Sequence, residues 1–397
     1  MTINKENQRM TDPLVVRFLR DGGTLTDLLT TRAIVAKRHR EHANLVLLKY
    51  NQIESPMDDP MVQECRGIIL DEADNWRVVS RSFDKFFNYG EGHAAPIDWS
   101  TAQVQEKVDG SLITVYAYGG RWHVATTGTP DGCGDVHGND ASGTWSPRAG
   151  TVWPVPETFA GYFWQTLALY VVRPFALAPA YPWNAFSWLF ELTGPLNRVV
   201  VPHAEAKVTL LGARSPLTGE WLPASAAAKA LNERVPAVRS FPLQSAEDIV
   251  ASFATLSPLA QEGYVVCDAA FNRIKVKHPG YVALHHAKDG LSLRAFVDIA
   301  KTGEVPEVIA AFPELRPQLD NVRARFDDLV RRTEDDFAAH RHHATQKDFA
   351  LAVKDRPYSA ALFAMRAGKA PSARAFYADK PADMLMRLLG LSASEAA

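Results

Sequence analysis

The sequence predicts an α+β protein in two parts, a region of mixed and antiparallel sheet over residues 1–288 and an all-α region over 289–397. Three observations predict it. Short runs rich in β-branched and aromatic residues recur from Asn44 to Lys277, bounded by Asp, Asn and Gly turn signals. After residue 288 that pattern stops. Residues 303–391 then carry only helical spacing, with starts near Pro306, Gln318, Thr345, Tyr358, Pro371 and Pro381. The 397 residues, 47% of them hydrophobic, suffice for two or three packed domains.

Composition narrows the classes. A formal charge of −2 argues against a wholesale polyanion binder, because nonspecific nucleic-acid affinity comes largely from phosphate neutralisation. Any nucleic-acid site must therefore be local. The longest apolar region, Tyr162 to Ala178, is broken by Gln165, Arg173 and Pro174, so neither a membrane span nor a membrane partner is expected. The first ten residues lack the apolar core of a secretory signal. Cys65, Cys133 and Cys267 show no C-x-x-C spacing and no even framework, which suggests neither zinc nor a disulfide scaffold. A cytoplasmic monomer is the expectation.

In order, residues 11–45 carry helix-like spacing at Leu14, Val15, Phe18 and Leu19 and again from Leu25 to Ile34. The basic Lys37-Arg38-His39-Arg40 reads first as a solvated helix end and second as a contact patch. Asn44 to Tyr50 reads as a strand, and Gly67–Leu70 with Trp76–Ser80 as a hairpin. Arg121–Thr126 follows the Gly119-Gly120 turn, and residues 127–150, with six glycines and no apolar period, read as a mobile loop. Phe159 to Val172 suits a helix, Ala185 to Leu192 a buried strand, and Lys207–Ala213 with Trp221-Leu222 a hairpin. Helices are expected over Ala224–Arg234 and after the Ser245-x-x-Asp248 cap. Tyr264–Cys267 and Arg273–Lys277 form the last hairpin.

The chemistry centres on residues 104–118. Lys107 stands two residues before Asp109-Gly110, and the run Ser111–Tyr118 reads as a strand. Asp-Gly is a tight-turn dipeptide, which would hold Lys107 at the lip of a sheet as a candidate nucleophile. A lysine attacking phosphorus must be neutral, whereas a free lysine with pKa near ~10.4 is about one part in a few thousand deprotonated at neutral pH. Lys275 and Lys277 fall on one face of a strand because side chains alternate with period two, so both can address one phosphate and stabilise the charge that grows on it. Glu191 and Glu262 offer the carboxylate oxygen that magnesium takes. Each signal alone has a plain structural alternative: a surface hairpin, a charged edge strand, or a salt-bridged glutamate.

In this order the four signals, Lys107-Val-Asp109-Gly110, Phe190-Glu191, Glu262-Gly263-Tyr264 and Lys275-Val-Lys277, resemble the motif set of the lysine nucleotidyltransferases, which include ATP-dependent RNA and DNA ligases and capping enzymes. The neighbouring Glu64–Ile69, Ser80–Asn88, Gly194–Val201 and Lys275–His285 are similar to the bacteriophage-type RNA ligase 1 family, over roughly residues 45–287. The resemblance implies a nucleotidyltransferase (adenylylation) domain of ATP-grasp-like ligase type over 1–288 and a helical RNA-specificity module over 289–397. It implies that Lys107 carries AMP, with Asp109 and Gly110 in the nucleotide site. Lys275 and Lys277 would contact the α-phosphate, Arg66 the outer phosphates, and Lys85 a phosphate or the nucleotide. Tyr281 would stack on adenine with Tyr50 helping to hold the base, and Glu191 and Glu262 would hold Mg2+, for which Mn2+ can substitute.

The implied reaction joins RNA 5′-phosphate and 3′-hydroxyl ends at the expense of ATP. With no strand pattern for an OB domain after Lys277, single-stranded or stem-loop RNA of the tRNA-repair kind is expected. Nine Lys and Arg against five Asp and Glu over 341–397 allow a local basic face for it. One departure is that Thr126-Thr127-Gly128-Thr129 stands where the family carries a lysine before Gly-Ser, so a charge is missing at Thr127. A DNA ligase or capping enzyme shares the chemistry but is expected to continue into an OB domain. A noncatalytic RNA-binding protein is expected to have lost Lys107 or the paired lysines, and this sequence keeps them.

Overall fold

The structure, a computed structural model, describes residues 12–51, 55–136, 144–148, 152–170, 175, 179–288, 292–303, 305, 309 and 315–391. Two compact units divide it, Met1–Lys277 and His278–Ala397. Among the described residues no helix is long and apolar enough to cross a membrane.

The first unit opens with the helices Leu14–Arg20 and Leu25–Arg32. Thr24 and Asp27 close a capping box on the second, whose last turn ends at Ala33 in the left-handed region. There the helical spacing fails. Ile34–Arg38 forms strand β1, because Ile34 and Val35 favour extended backbone and β2 (Leu45–Tyr50) supplies a partner in the register Lys37↔Leu47. The basic run thus ends a strand, not a helix. β3 (Arg66–Asp71) and β4 (Arg77–Ser80) complete a sheet in the order β1-β2-β3-β4.

Two further sheets share the chain in an interleaved way. β5 (Phe87–Asn88) and β6 (Gln103–Lys107) belong to one; β7 (Ser111–Tyr118) and β8 (Arg121–Thr126) belong to another. β9 (Thr144–Trp145) pairs β10 (Trp153–Pro154) in a small ribbon. β11 (Ser187–Thr193), β12 (Lys207–Arg214) and β13 (Trp221–Pro223) extend the second of these into β13-β12-β11-β7-β8. β14 (Ser240–Phe241), β15 (Gly263–Cys267) and β16 (Arg273–Lys277) complete the first as β14-β6-β15-β16-β5. Since β6 and β7 lie in different sheets, Val108-Asp109-Gly110 is a crossover and not the hairpin turn that Asp-Gly predicts.

Burial explains the arrangement. Ile113, Val115, Trp188, Phe190, Val208 and Leu210 from the β7 sheet pack with Tyr162, Phe163 and Leu167 of the helix Phe159–Ala168. Each such side chain contributes about 1.5–3 kcal/mol on burial. Within the glycine-rich stretch 127–150, two points are tied down: Trp145 is buried, with its Nε1 donating to Gln165 Oε1 at 2.8 Å, and Tyr116 Oη donates to Pro130 O at 2.7 Å. Residues 137–143 and 149–150 lie outside the described residues.

The second unit contains the helices Pro279–Lys288, Leu293–Thr302, Arg316–His340, Gln346–Val353, Ser359–Arg366, Ala373–Ala378 and Ala382–Leu388, and among its described residues no strand. The expected start near Pro306 and the core position Val308 lie outside the described residues. Val305, Leu329 and Leu362 are buried as their spacing predicts. Leu351 is not. It is 57% exposed because Phe349 and Val353, four apart, take the inward face of its helix. The basic excess over 341–397 is partly answered from the long helix, where Asp336 pairs with Arg356 at 3.0 Å and Asp327 with Arg374 at 2.6 Å.

Candidate active site

Sheet register assembles the site. Lys107 ends β6 opposite Gly263 of β15, and Gly263 stands opposite Lys277 of β16, so residues distant in sequence form one row across three strands. Gly263 has φ 142°, a conformation that L side chains rarely adopt, which accounts for the glycine after Glu262. On β16, Ile274 and Val276 are buried in the apolar layer while Arg273, Lys275 and Lys277 share the opposite, half-buried face. The same-face placement of the paired lysines is in place. It also includes Arg273, which the same period-two spacing could have flagged.

Lys107, Arg273, Lys275 and Lys277 line a cavity of about 510 Å³ together with Arg66, Phe86, Thr127 and Glu191. Beside it, Glu262 is 4% exposed and bridges two of the lysines: Oε2 lies 2.6 Å from Lys107 Nζ and Oε1 2.9 Å from Lys277 Nζ. Burial opposes its ionisation, but the two ammonium groups outweigh that and hold the carboxyl below the usual range. Lys275 responds in the opposite way. Burial first, then Lys85, Lys107, Lys277 and Arg66, push its ammonium down to about 8. Glu191, on β11 opposite Leu112 of β7, is pushed up to about 8 by burial, which outweighs the attraction of Lys107 and Arg66.

Asp109 and Gly110 lock the crossover that presents Lys107. The buried Asp109 carboxylate accepts the backbone N–H groups of Val200 and Val201 at 2.9 and 2.6 Å through Oδ2. Gly110 lines the cavity, and a Cβ there would stand 2.4 Å from the carbonyl oxygen of Leu192. Asn197 braces the same corner, donating to Leu192 O at 2.7 Å and Ser111 Oγ at 3.1 Å.

Arg66 presents its guanidinium 5.3 Å from the Phe86 ring, and its buried Nη1 has no hydrogen-bond partner among the described residues. A phosphate oxygen is the kind of acceptor that would satisfy such a donor. Tyr50 and Lys85 are not among the residues that line this cavity. Tyr50 is 5% exposed within the core of the β1–β4 sheet, its ring 5.2 Å from Lys85 Nζ, so it does not form the wall of this cavity. Lys85 lines a smaller cavity of about 180 Å³ and acts on Lys275 through its charge. Tyr281 belongs to the second unit, on the helix Pro279–Lys288, where its buried ring lies 6.0 Å from His285.

Among the described residues no group of three His, Cys, Asp or Glu side chains could hold a metal. Magnesium commonly takes one or two carboxylates with waters and substrate phosphates, and Glu191 on the cavity wall fits that mode. Glu262 fits it less well. Both of its oxygens are engaged by ammonium groups, so it stands here as the ion-pair partner of Lys107 and Lys277.

A family model described as RNA ligase matches residues 64–281. A putative bifunctional polynucleotide kinase/RNA ligase of Autographa californica nuclear polyhedrosis virus is 29% identical over 320 residues, which cover 76% of this chain and 42% of that protein. The chain thus spans less than half the length of that relative. The RNA ligase of Rhodothermus phage RM378 is 26% identical over 351 residues, covering 75% of this chain and 76% of its own. A solved archaeal ATP-dependent RNA ligase is similar at 16% identity and a TM-score of 0.44, covering 83% of each chain.

Proposed function

Because the chain belongs to the RNA ligase family, we propose that it is an ATP-dependent RNA ligase working through a Lys107–AMP adduct. The observation that carries this is the convergence of Lys107, Lys275, Lys277 and the unsatisfied Arg66 on one cavity. Lys107 Nζ, released from its ion pair with Glu262 and having given its proton to solvent, bonds to the α-phosphorus while the bond to the β-phosphate oxygen breaks and pyrophosphate leaves. Lys275 and Lys277 stabilise the charge on the α-phosphoryl oxygens, and Glu262 keeps Lys277 oriented. An oxygen of the RNA 5′-phosphate then displaces Lys107 from the adenylate. Finally the oxygen of the 3′-hydroxyl of a second end bonds to the RNA phosphorus, its proton passing to solvent, and AMP leaves. Glu191 would hold a magnesium or manganese ion, which when bound neutralises phosphate charge.

The substrate class follows the same reading. A second unit of helices, with no strand among its described residues, suits single-stranded or stem-loop RNA ends of the tRNA-repair kind in a cytoplasmic setting. Incubation with ATP radiolabelled at the α-phosphate plus magnesium, then a denaturing gel, tests the first step. The wild type acquires label and Lys107→Ala acquires none while remaining folded, with a lowered melting temperature because Glu262 loses one of its two partners. Label retained by the variant refutes Lys107 as the nucleophile.

A further inference from the structure

Beside the cavity, the fold gathers positive charge that no carboxylate among the described residues pairs with directly. Lys49 of β2 stands opposite Arg66 of β3. By strand alternation it shares the face of Leu45 and Leu47, which pack on Tyr116 and Ala125 of the neighbouring sheet. Its Nζ reaches the turn after β8, 3.6 Å from where a Cβ on Gly128 would stand. Gly67, with φ +89°, brings Arg66 against the same turn, since a Cβ on it would lie 3.2 Å from Thr127 Cα. Lys49, Arg66 and the turn Thr126–Thr129 therefore make one corner. It adjoins the cavity wall formed by Arg66, Thr126 and Thr127.

Among the described residues no carboxylate forms an ion pair in that corner, and Glu191 reaches Arg66 only through its charge. Lys49 Nζ has neither a hydrogen-bond nor an ion-pair partner among the described residues, and burial, followed by the charges of Lys37 and Arg66, pushes its ammonium below the usual lysine range. Arg66 Nη1 is buried and unpartnered. The turn Thr126–Thr129 holds no acidic side chain, and Thr126 Oγ1 is already engaged by the N–H groups of Gly128 and Thr129. Like charges held together and partly desolvated cost stability unless an anion joins them.

We propose that Lys49 joins Arg66 in a phosphate-binding subsite at the edge of the cavity, which takes a phosphate group of the substrates. This rests on the ligase reading of the same cavity. It makes Lys49 the source of the charge that Thr127 does not supply. The phosphate comes either from the outer part of ATP or from the 5′ end of RNA. Calorimetry with inorganic tripolyphosphate on the full chain tests the subsite itself. Lys49→Met should weaken binding about tenfold, the effect of one charge-assisted contact, and Lys49→Arg should restore most of it. Lys49→Met should melt no lower than the wild type, because it relieves an unanswered charge; a purely structural lysine would lower the melt.

Two kinetic arms separate the sources. A loss in the rate of labelling at low ATP assigns the site to the triphosphate. A loss only in AMP transfer from preformed adenylylated protein to 5′-phosphorylated RNA assigns it to the RNA end. Tripolyphosphate binding by Lys49→Met within about twofold of the wild type overturns the proposal, as does a variant unimpaired in both arms. A wild type that binds tripolyphosphate through Lys49 but never labels with ATP would instead refute the ligase reading alone.

Discussion

Glu262 shows how one side chain organises the site's charge. A buried carboxylate between two ammonium groups is tolerated because each of its oxygens has a partner, while Lys275, with no ion-pair partner among the described residues, meets burial and four cations together. The sign of its pH dependence follows. Lys275 carries its charge below about 8 and loses it above, so its help to a phosphate fades as pH rises through that value. Arginine stays charged throughout. The ratio of kcat/KM for ATP between wild type and Lys275→Arg should therefore fall about tenfold from pH 7 to pH 9 if only the charged lysine works. A flat ratio would show that the Lys275 charge is not used. Removing the charge outright, in Lys275→Ala, should cost labelling about a hundredfold, the scale of losing one preorganised charge donor.

At the scale of an element, the crossover Val108-Asp109-Gly110 decides where Lys107 stands. It connects two sheets, and its ends are fixed by the Asp109 carboxylate on the Val200 and Val201 amides and by the approach of Gly110 to Leu192. A methyl group at Gly110 must push backbone away at 2.4 Å. Gly110→Ala is expected to cost about 1–3 kcal/mol, the usual cost of overpacking, and to lower the melting temperature by several degrees. Labelling should fall by at least about tenfold even where the variant is folded, because the shift displaces the next-but-two residue, Lys107. Unchanged melting and labelling would show that the crossover yields freely and is not a positioning device.

For the whole molecule, the residues lining the cavity all lie within Met1–Lys277. Removal of residues 289–397 is therefore expected to leave ATP-dependent labelling of Lys107 largely intact. Selection of RNA should suffer: the shortened protein should join short linear RNAs with less preference for a nicked stem-loop, and its RNA binding should depend less steeply on salt because fewer phosphates are neutralised. A folded, self-labelling protein with unchanged RNA preference would refute a recognition role for the helices. An unfolded one, seen in a thermal melt, would show that they are needed for stability.

Local periodicity by itself determined much of this protein. It marked the face of β16 that carries Lys275 and Lys277, the strands around Lys107, the Ser245 cap and the helical character of the second unit. These are properties of single segments, set by side-chain alternation, caps and β-branched runs. Tertiary structure alone decided what stands beside what. Asp109-Gly110 looks like a hairpin in sequence, yet each flanking strand finds a better partner elsewhere and the dipeptide becomes a crossover. Tyr50 falls in a core because its neighbours on β2 do. Glu262 becomes the partner of Lys107 across 155 residues, and Lys49 the neighbour of both Arg66 and the far more distant Gly128. Pairing register, desolvation and charge balance depend on groups that distant segments bring together, and no local pattern encodes them.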